Sequence, residues 1–334
     1  MKIAFFDSHR FEREAFSTEL SKLGSPHQIT FLETRLSMET APLAQGHPVL
    51  CPFVNDKITA SVAESLHKYG VRLLALRSAG FNHVDVAAVN RLGMRVVRVP
   101  AYSPHAVAEH SLCLLLTLIR KVHRAWNRVR ELNFSLEGLV GFDLHGKTVG
   151  VVGTGNIGSV FANIMLGLGC RVLAHDTTPN PALSKRPGLT YVTLDELFSC
   201  SHVISLHVPL TPNTRHLLDE RAFASMKEGV YVVNTGRGAL IDTPAMVEAL
   251  KSGKLGGAAL DVYEEEEGVF FFDLSDRVLQ DDVLARLLTF PNVLITSHQA
   301  FLTKEALANI AQTTLTNISA FEAGAALENE VRLA

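Results

Sequence analysis

Thr148-Val149-Gly150-Val151-Val152-Gly153-Thr154-Gly155-Asn156-Ile157-Gly158 is the stretch on which the fold turns. A short apolar, β-branched run leads directly into G-x-G-x-x-G, and the apolar segment Ile157–Leu168 that follows has helical spacing. Glycine-rich turns are common, so the pattern alone is weak. Its setting makes it specific: a strand before, a helix after, and an acid, Asp176, about twenty residues on at the end of the next strand. In such a turn Gly153 permits the tight bend, Gly155 lets backbone approach a pyrophosphate, and Gly158 allows close helix–strand packing. The helix start at Ile157 offers unpaired N–H groups and the positive end of a dipole, and Asn156 before it is counted with the cofactor-binding residues. Asp176 suits the hydroxyls of an adenosine ribose and repels a 2′-phosphate. Thr177 and Thr178 follow it where an arginine or lysine would be needed for that phosphate, so the expected cofactor is NAD rather than NADP.

Outward from this turn, apolar runs alternate with amphipathic stretches in both directions. Strands are expected at Thr148–Val152, Arg171–Ala174, His202–Leu206, Val230–Asn234, Ala258–Leu260 and Val293–Thr296, with helices at Leu194–Phe198 and Thr243–Ser252 among them. An earlier series has strands at Lys2–Phe6, Pro48–Cys51, Arg72–Leu76 and Arg95–Val99. Helical segments there are Arg10–Leu23, Ser61–Tyr69 and Val86–Leu92. Two such runs predict an α/β chain of two doubly wound, Rossmann-like domains. Ser103–Val129 reads as one long helix with Pro104 in its first turn. A matching stretch, Thr303–Ala323, follows the last strand. If it packs on the first series, that domain is discontinuous and the dinucleotide domain is inserted into it.

Composition removes several classes of function. Hydrophobic residues make up 47% and charged residues 19% of 334, which excludes a disordered chain. Lysine and arginine number 31 against 34 acids, so neither nucleic acid nor an anionic membrane is an expected partner. The best apolar run, Leu112–Ile119, is well short of the ~20 residues of a membrane span. Met1–Asp7 has too short an apolar part for a signal peptide, and a cytoplasmic location is expected. Cys51, Cys113, Cys170 and Cys200 are widely spaced, which argues against a disulfide framework or a cysteine-rich zinc site.

Three more segments place polar residues just after expected strands, where open α/β sheets bind ligands. They are Asn234-Thr235-Gly236-Arg237-Gly238, Leu260-Asp261-Val262-Tyr263-Glu264-Glu265-Glu266 and Ser297-His298-Gln299-Ala300-Phe301. Taken singly, Arg237 reads as a surface turn, Glu266 as part of a solvated acidic face and His298 as a helix cap. Together with the dinucleotide turn they make the chain resemble the D-isomer-specific 2-hydroxyacid dehydrogenases, and among them the D-lactate dehydrogenases. The likeness runs from Val71–Gly80 to His298–Thr303.

That resemblance implies catalytic roles for Arg237, Glu266 and His298. Arg237 would hold a substrate carboxylate and polarise a keto oxygen, His298 would act as acid and base, and Glu266 would tune His298 by stabilising the imidazolium. It implies a flavodoxin-like substrate domain of residues 1–101 and 300–334, and an NAD domain of residues 102–299 that includes a dimerisation segment near Ala125–Asp143. Val208, Pro209, Thr214, Thr235, Gly236 and Asp261 would border the dinucleotide. Thr214 stands where close relatives often carry asparagine, which puts one cofactor hydrogen bond in doubt. Backbone N–H groups near Ala79 and Gly80 would bind carboxylate, and Phe53, Tyr102 and Phe301 would line a compact apolar pocket. Pyruvate and D-lactate are the substrate pair implied, with a homodimer or homotetramer as assembly. The alternatives are a larger or smaller 2-keto acid, or an NAD(H)-sensing interaction protein.

Overall fold

The structure, a computed structural model, describes residues 1–332. Its strands are β1 (Lys2–Phe5), β2 (Gln28–Phe31), β3 (Val49–Cys51), β4 (Leu73–Ala75), β5 (Arg95–Val97), β6 (Thr148–Val152), β7 (Arg171–His175), β8 (Leu189–Tyr191), β9 (Val203–Leu206), β10 (Val230–Asn234), β11 (Leu255–Leu260) and β12 (Val293–Ile295). They form two sheets, ordered β2-β1-β3-β4-β5 and β12-β11-β10-β9-β6-β7-β8. All pairings between these strands are parallel. The first order is flavodoxin-like and the second is that of a Rossmann sheet extended by one strand. The fold class is α/β with two Rossmann-like sheets. The chain divides into two compact units, Met1–Ser103 with the segment from Leu302, and Pro104–Phe301.

In the first unit the central strands β3 and β4 are buried at every position, which is why they read as short unbroken apolar runs. The edge strand β2 alternates exposed and half-buried residues and was not evident in the sequence. Helix Lys304–Glu322 opens at Thr303, whose hydroxyl accepts the Ala306 N–H (3.2 Å), and packs on helix Arg10–Leu23 and on β4. The chain end then returns to β5, where the Val331 N–H bonds to the Val96 carbonyl (2.8 Å). Both ends of the chain therefore build one unit.

In the second unit, helices Pro104–Ile119 and Asn156–Gly167 cover one face of the sheet around Leu115, Phe161 and Met165. Helices Leu194–Cys200, Glu220–Ser225 and Thr243–Ser252 cover the other face around Leu197, Phe223 and Met246. Phe161 is fully buried, and truncating a side chain so placed costs about 3–5 kcal/mol.

The single helix expected over Ser103–Val129 is two. Pro104–Ile119 stops, and Val122–Arg130 begins after Lys121, whose φ of 53° lies in the left-handed region that breaks the hydrogen-bond run. The Lys121 ammonium donates to the Gly138 carbonyl (2.9 Å), which ties the following chain to the break. Strand β8 has no clear sequence signal either, being three residues long with one of them exposed. No described helix is long and apolar enough to cross a membrane. No cluster of three or more histidine, cysteine or acidic residues suited to a metal occurs among the described residues.

Candidate active site

The order of the second sheet puts the ends of β10, β11 and β12 side by side, next to the switch point between β6 and β9. At that point Gly153 has φ 91°, a conformation that glycine adopts without strain. A Cβ there would lie 2.7 Å from the His207 backbone, and one on Gly158 would lie 1.9 Å from the Gly153 carbonyl oxygen. A Cβ on Gly155, by contrast, would meet nothing within 4 Å. Helix Asn156–Gly167 starts immediately after it. An open cradle of backbone N–H groups at a helix start fits a pyrophosphate.

Asp176 closes the cradle on the β7 side. It accepts from the Thr154 N–H (2.6 Å), the Thr154 hydroxyl (3.0 Å) and the Thr178 N–H (2.9 Å). Partial burial would raise its pKa, but these donors outweigh burial and lower it, so the carboxylate stays charged and able to accept ribose hydroxyls. Val208 and Pro209 follow β9 after one intervening residue, His207. Beside them, burial drives His207 down to about 3, so its ring, packed 5.0 Å from that of Phe161, is a neutral wedge under the turn. The Thr214 hydroxyl donates to the Pro209 carbonyl (2.7 Å) and accepts from the Thr211 N–H (2.8 Å), closing its own loop.

After β10 the chain wraps around Asn234, a buried residue not singled out from the sequence. Its side chain accepts the Gly236 N–H (3.0 Å) and donates to the Arg237 carbonyl (2.8 Å). The wrap fixes the half-buried Arg237 at the strand end, with Nη1 also bonded to the Gly236 carbonyl (2.7 Å). Thr235 bonds through its hydroxyl to Ser111 (2.8 Å).

His298 and Glu266, from the loops after β12 and β11, meet with Nδ1 3.1 Å from Oε1. Their side chains are 20% and 24% exposed. A carboxylate only accepts, so Nδ1 carries the proton in this bond and Nε2 is the nitrogen left for chemistry. The Phe271 ring lies 5.8 Å from the imidazole. His298 itself has φ 55°, unusual for a residue with a side chain.

Asp261, expected to border the dinucleotide, is fully buried, with its carboxylate facing the His298 loop. Oδ1 accepts the Thr296 hydroxyl (2.5 Å) and the Gln299 N–H (2.9 Å), and Oδ2 accepts the Ala300 N–H (2.8 Å). The Asp261 carbonyl takes the His298 N–H (2.7 Å). Burial would raise the Asp261 pKa, but its bonds with His110, Thr296 and the two amides lower it on balance. His110 is a second residue that sequence reasoning passed over, since nothing in its neighbourhood in the chain points to Asp261.

The remaining expected substrate residues, Phe301 excepted, lie in the first unit. Phe53 is 4% exposed, its N–H bonded to Asp56 (2.7 Å) and its ring 4.9 Å from the Arg77 guanidinium. Ala79 and Gly80 are half-buried, and their carbonyls accept from Arg98 (2.9 Å) and Ser78 (2.8 Å). The Tyr102 carbonyl accepts from Asn309 (2.6 Å). Phe301 ends the second unit and is half-buried.

Residues 112–300 match the model of the D-isomer specific 2-hydroxyacid dehydrogenase, NAD binding domain. A Schizosaccharomyces pombe protein named 2-hydroxyacid dehydrogenase homolog 1 is 52% identical over 322 residues, 96% of each chain. Among solved structures, the apo-form of D-lactate dehydrogenase from Escherichia coli superposes with a TM-score of 0.91 at 48% identity, covering 99% of this chain and 100% of that one. The pyruvate reductase of Chlamydomonas reinhardtii gives a TM-score of 0.93 at 44% identity, covering 98% of both.

Proposed function

The chain belongs to the D-isomer-specific 2-hydroxyacid dehydrogenases and carries that family's NAD-binding domain, and from this premise we propose that it is a D-lactate dehydrogenase interconverting pyruvate and D-lactate. The observation that carries the reading is the His298–Glu266 contact of 3.1 Å, partly exposed, in loops that leave the same end of the sheet as the dinucleotide turn. Two similar proteins, one named a D-lactate dehydrogenase and one a pyruvate reductase, support the choice of substrate.

Gly153, Gly155, Asn156, Ile157 and Gly158 would hold the pyrophosphate and Asp176 the ribose, with Val208, Pro209, Thr235 and Gly236 alongside. Bound there, the dinucleotide supplies the hydride for reduction and accepts it for oxidation. Arg237 pairs with the substrate carboxylate through its planar fork and draws electron density from the keto oxygen. As hydride reaches the carbonyl carbon, negative charge builds on that oxygen, and imidazolium His298 neutralises it by giving up the Nε2 proton. Glu266 fixes the ring by accepting from Nδ1 and offsets the positive charge that the ring carries before transfer. In the reverse direction neutral His298 takes the hydroxyl proton. Thr214, whose hydroxyl is committed to its own loop, is left out of this assignment.

We assign the exposed apolar residues Trp126, Val129, Leu132, Phe134, Leu136 and Val140, 49–83% accessible, to an interface between copies of this chain.

Specificity separates pyruvate from other keto acids. Steady-state kinetics on glyoxylate, pyruvate, hydroxypyruvate and phenylpyruvate with NADH should give the highest kcat/KM for pyruvate. Because one methylene is worth only about 1–3 kcal/mol in an apolar pocket, weaker turnover of near neighbours is expected. A preference for hydroxypyruvate or phenylpyruvate would move the assignment to another member of the family.

A further inference from the structure

Helix Pro104–Ile119 reaches the site at two successive residues without contributing a group to the chemistry above. Ser111 bonds to Thr235, and His110 sets its Nε2 3.2 Å from the Thr296 hydroxyl and 3.3 Å from Asp261 Oδ1. The direction of these bonds follows from the groups themselves. Asp261 is a carboxylate and only accepts, so the Thr296 hydroxyl spends its proton on Oδ1. Both neighbours of His110 Nε2 are then acceptors, and Nε2 carries a proton whatever the charge of the ring. Thr296 precedes His298 by two residues. Asp261 takes the N–H groups of Gln299 and Ala300 and, through its carbonyl, that of His298. The loop is thus held on both sides of a residue whose φ of 55° persists only where its surroundings over-determine it.

We propose that His110 is a positioning residue for hydride transfer, its Nε2–H pinning Thr296 and Asp261 and, through them, the left-handed backbone that aims His298. The proposal rests on the reading of His298 as the proton donor. It assigns no proton transfer to His110: the ring acts as a donor of fixed direction, and an amide in the same place should do the same work. The gap left by an apolar residue there would leave Asp261 and Thr296 short of one donor and free the loop to shift. A misplacement of about 1 Å in a reacting group costs up to about 100-fold in rate.

The test uses the full chain with pyruvate and NADH, comparing His110→Leu, His110→Gln, Thr296→Val and His298→Ala, each checked for folding by circular dichroism. For His110→Leu and Thr296→Val, kcat should fall by about 10- to 100-fold while the Kd for NADH, read by fluorescence titration, stays within about twofold. His110→Gln, with an amide N–H near the position of Nε2–H, should recover most of the rate and keep the wild-type pH profile of kcat/KM. Unimpaired turnover by His110→Leu overturns the proposal, as does a Gln variant no better than Leu or one with a shifted pH profile. Should His110→Leu fail to fold, Thr296→Val decides, and its full activity likewise overturns the proposal. Wild-type turnover by folded His298→Ala would strike the underlying reading of His298 and is seen separately from any of these.

Discussion

Two pairs of a basic side chain and a carboxylate, one in each unit, share their chemistry and differ in what is left over. In the first unit Arg77 meets Glu12 with Nε 2.5 Å from Oε1, the two side chains 1% and 7% exposed. Its other N–H groups go to the carbonyls of Cys51 (3.0 Å), Phe6 (2.9 Å) and Asp7 (2.9 Å), at the ends of β3 and β1. The Phe5 ring lies 3.9 Å from the guanidinium carbon. In the second unit the imidazole of His298 spends only Nδ1 on Glu266 and keeps Nε2 outside that bond. A buried cation with its donors satisfied is a brace. A half-buried imidazole with a nitrogen in reserve can exchange a proton.

The contrast breaks if the two carboxylates respond alike to neutralisation. Glu12→Gln should cost about 3–5 kcal/mol of stability in urea unfolding, because it leaves a buried guanidinium without its counter-charge, while kcat per folded molecule holds within about twofold. Glu266→Gln should do the reverse. Its kcat/KM on pyruvate should fall by about 100-fold, with stability unchanged to within about 0.5 kcal/mol. A large stability loss in the second variant would make that pair a brace as well.

A smaller effect sharpens the picture of the first unit. Burial raises the pKa of Asp56 to about 6, although the N–H groups of Leu36 and Phe53 and the charge of Arg77 pull the other way. An unfolded aspartate ionises near 4. Between these values the folded chain holds a proton that the unfolded chain has released. The contribution of Asp56 to stability is therefore full below about pH 4 and lost as pH rises through about 6. Relative to Asp56→Asn, the wild type should lose about 1–2 kcal/mol of its advantage between pH 4.5 and pH 7.5 in urea unfolding. A difference independent of pH would contradict this.

What was legible in the sequence follows from how local its cause is. The glycine turn could be read because the left-handed backbone of Gly153 and the close approach of Gly158 to the Gly153 carbonyl both lie within six residues of chain. The central strands could be read because burial on both faces leaves them wholly apolar. The edge strands β2 and β8 escaped because one side of each is open to water and their exposed positions dilute the apolar signal. The break at Lys121 escaped because its left-handed backbone falls on a residue type that gives no warning of it. Arg237, Glu266 and His298 become candidates only when three strand ends are combined with a family likeness, not from any one segment. Asn234, His110 and the inward-facing role of Asp261 were beyond reach, since each depends on which distant backbone groups the sheet order brings beside it.

In the proposed reaction a bound dinucleotide would supply hydride to one face of pyruvate and Nε2 of His298 the proton, giving the D-hydroxy acid. The direct measurement is to incubate the purified chain with pyruvate and NADH, follow the loss of NADH absorbance, and resolve the product by chiral chromatography. NADH consumption matched mole for mole by D-lactate is the result expected. L-lactate as product, or no consumption of NADH by the folded protein, would contradict it.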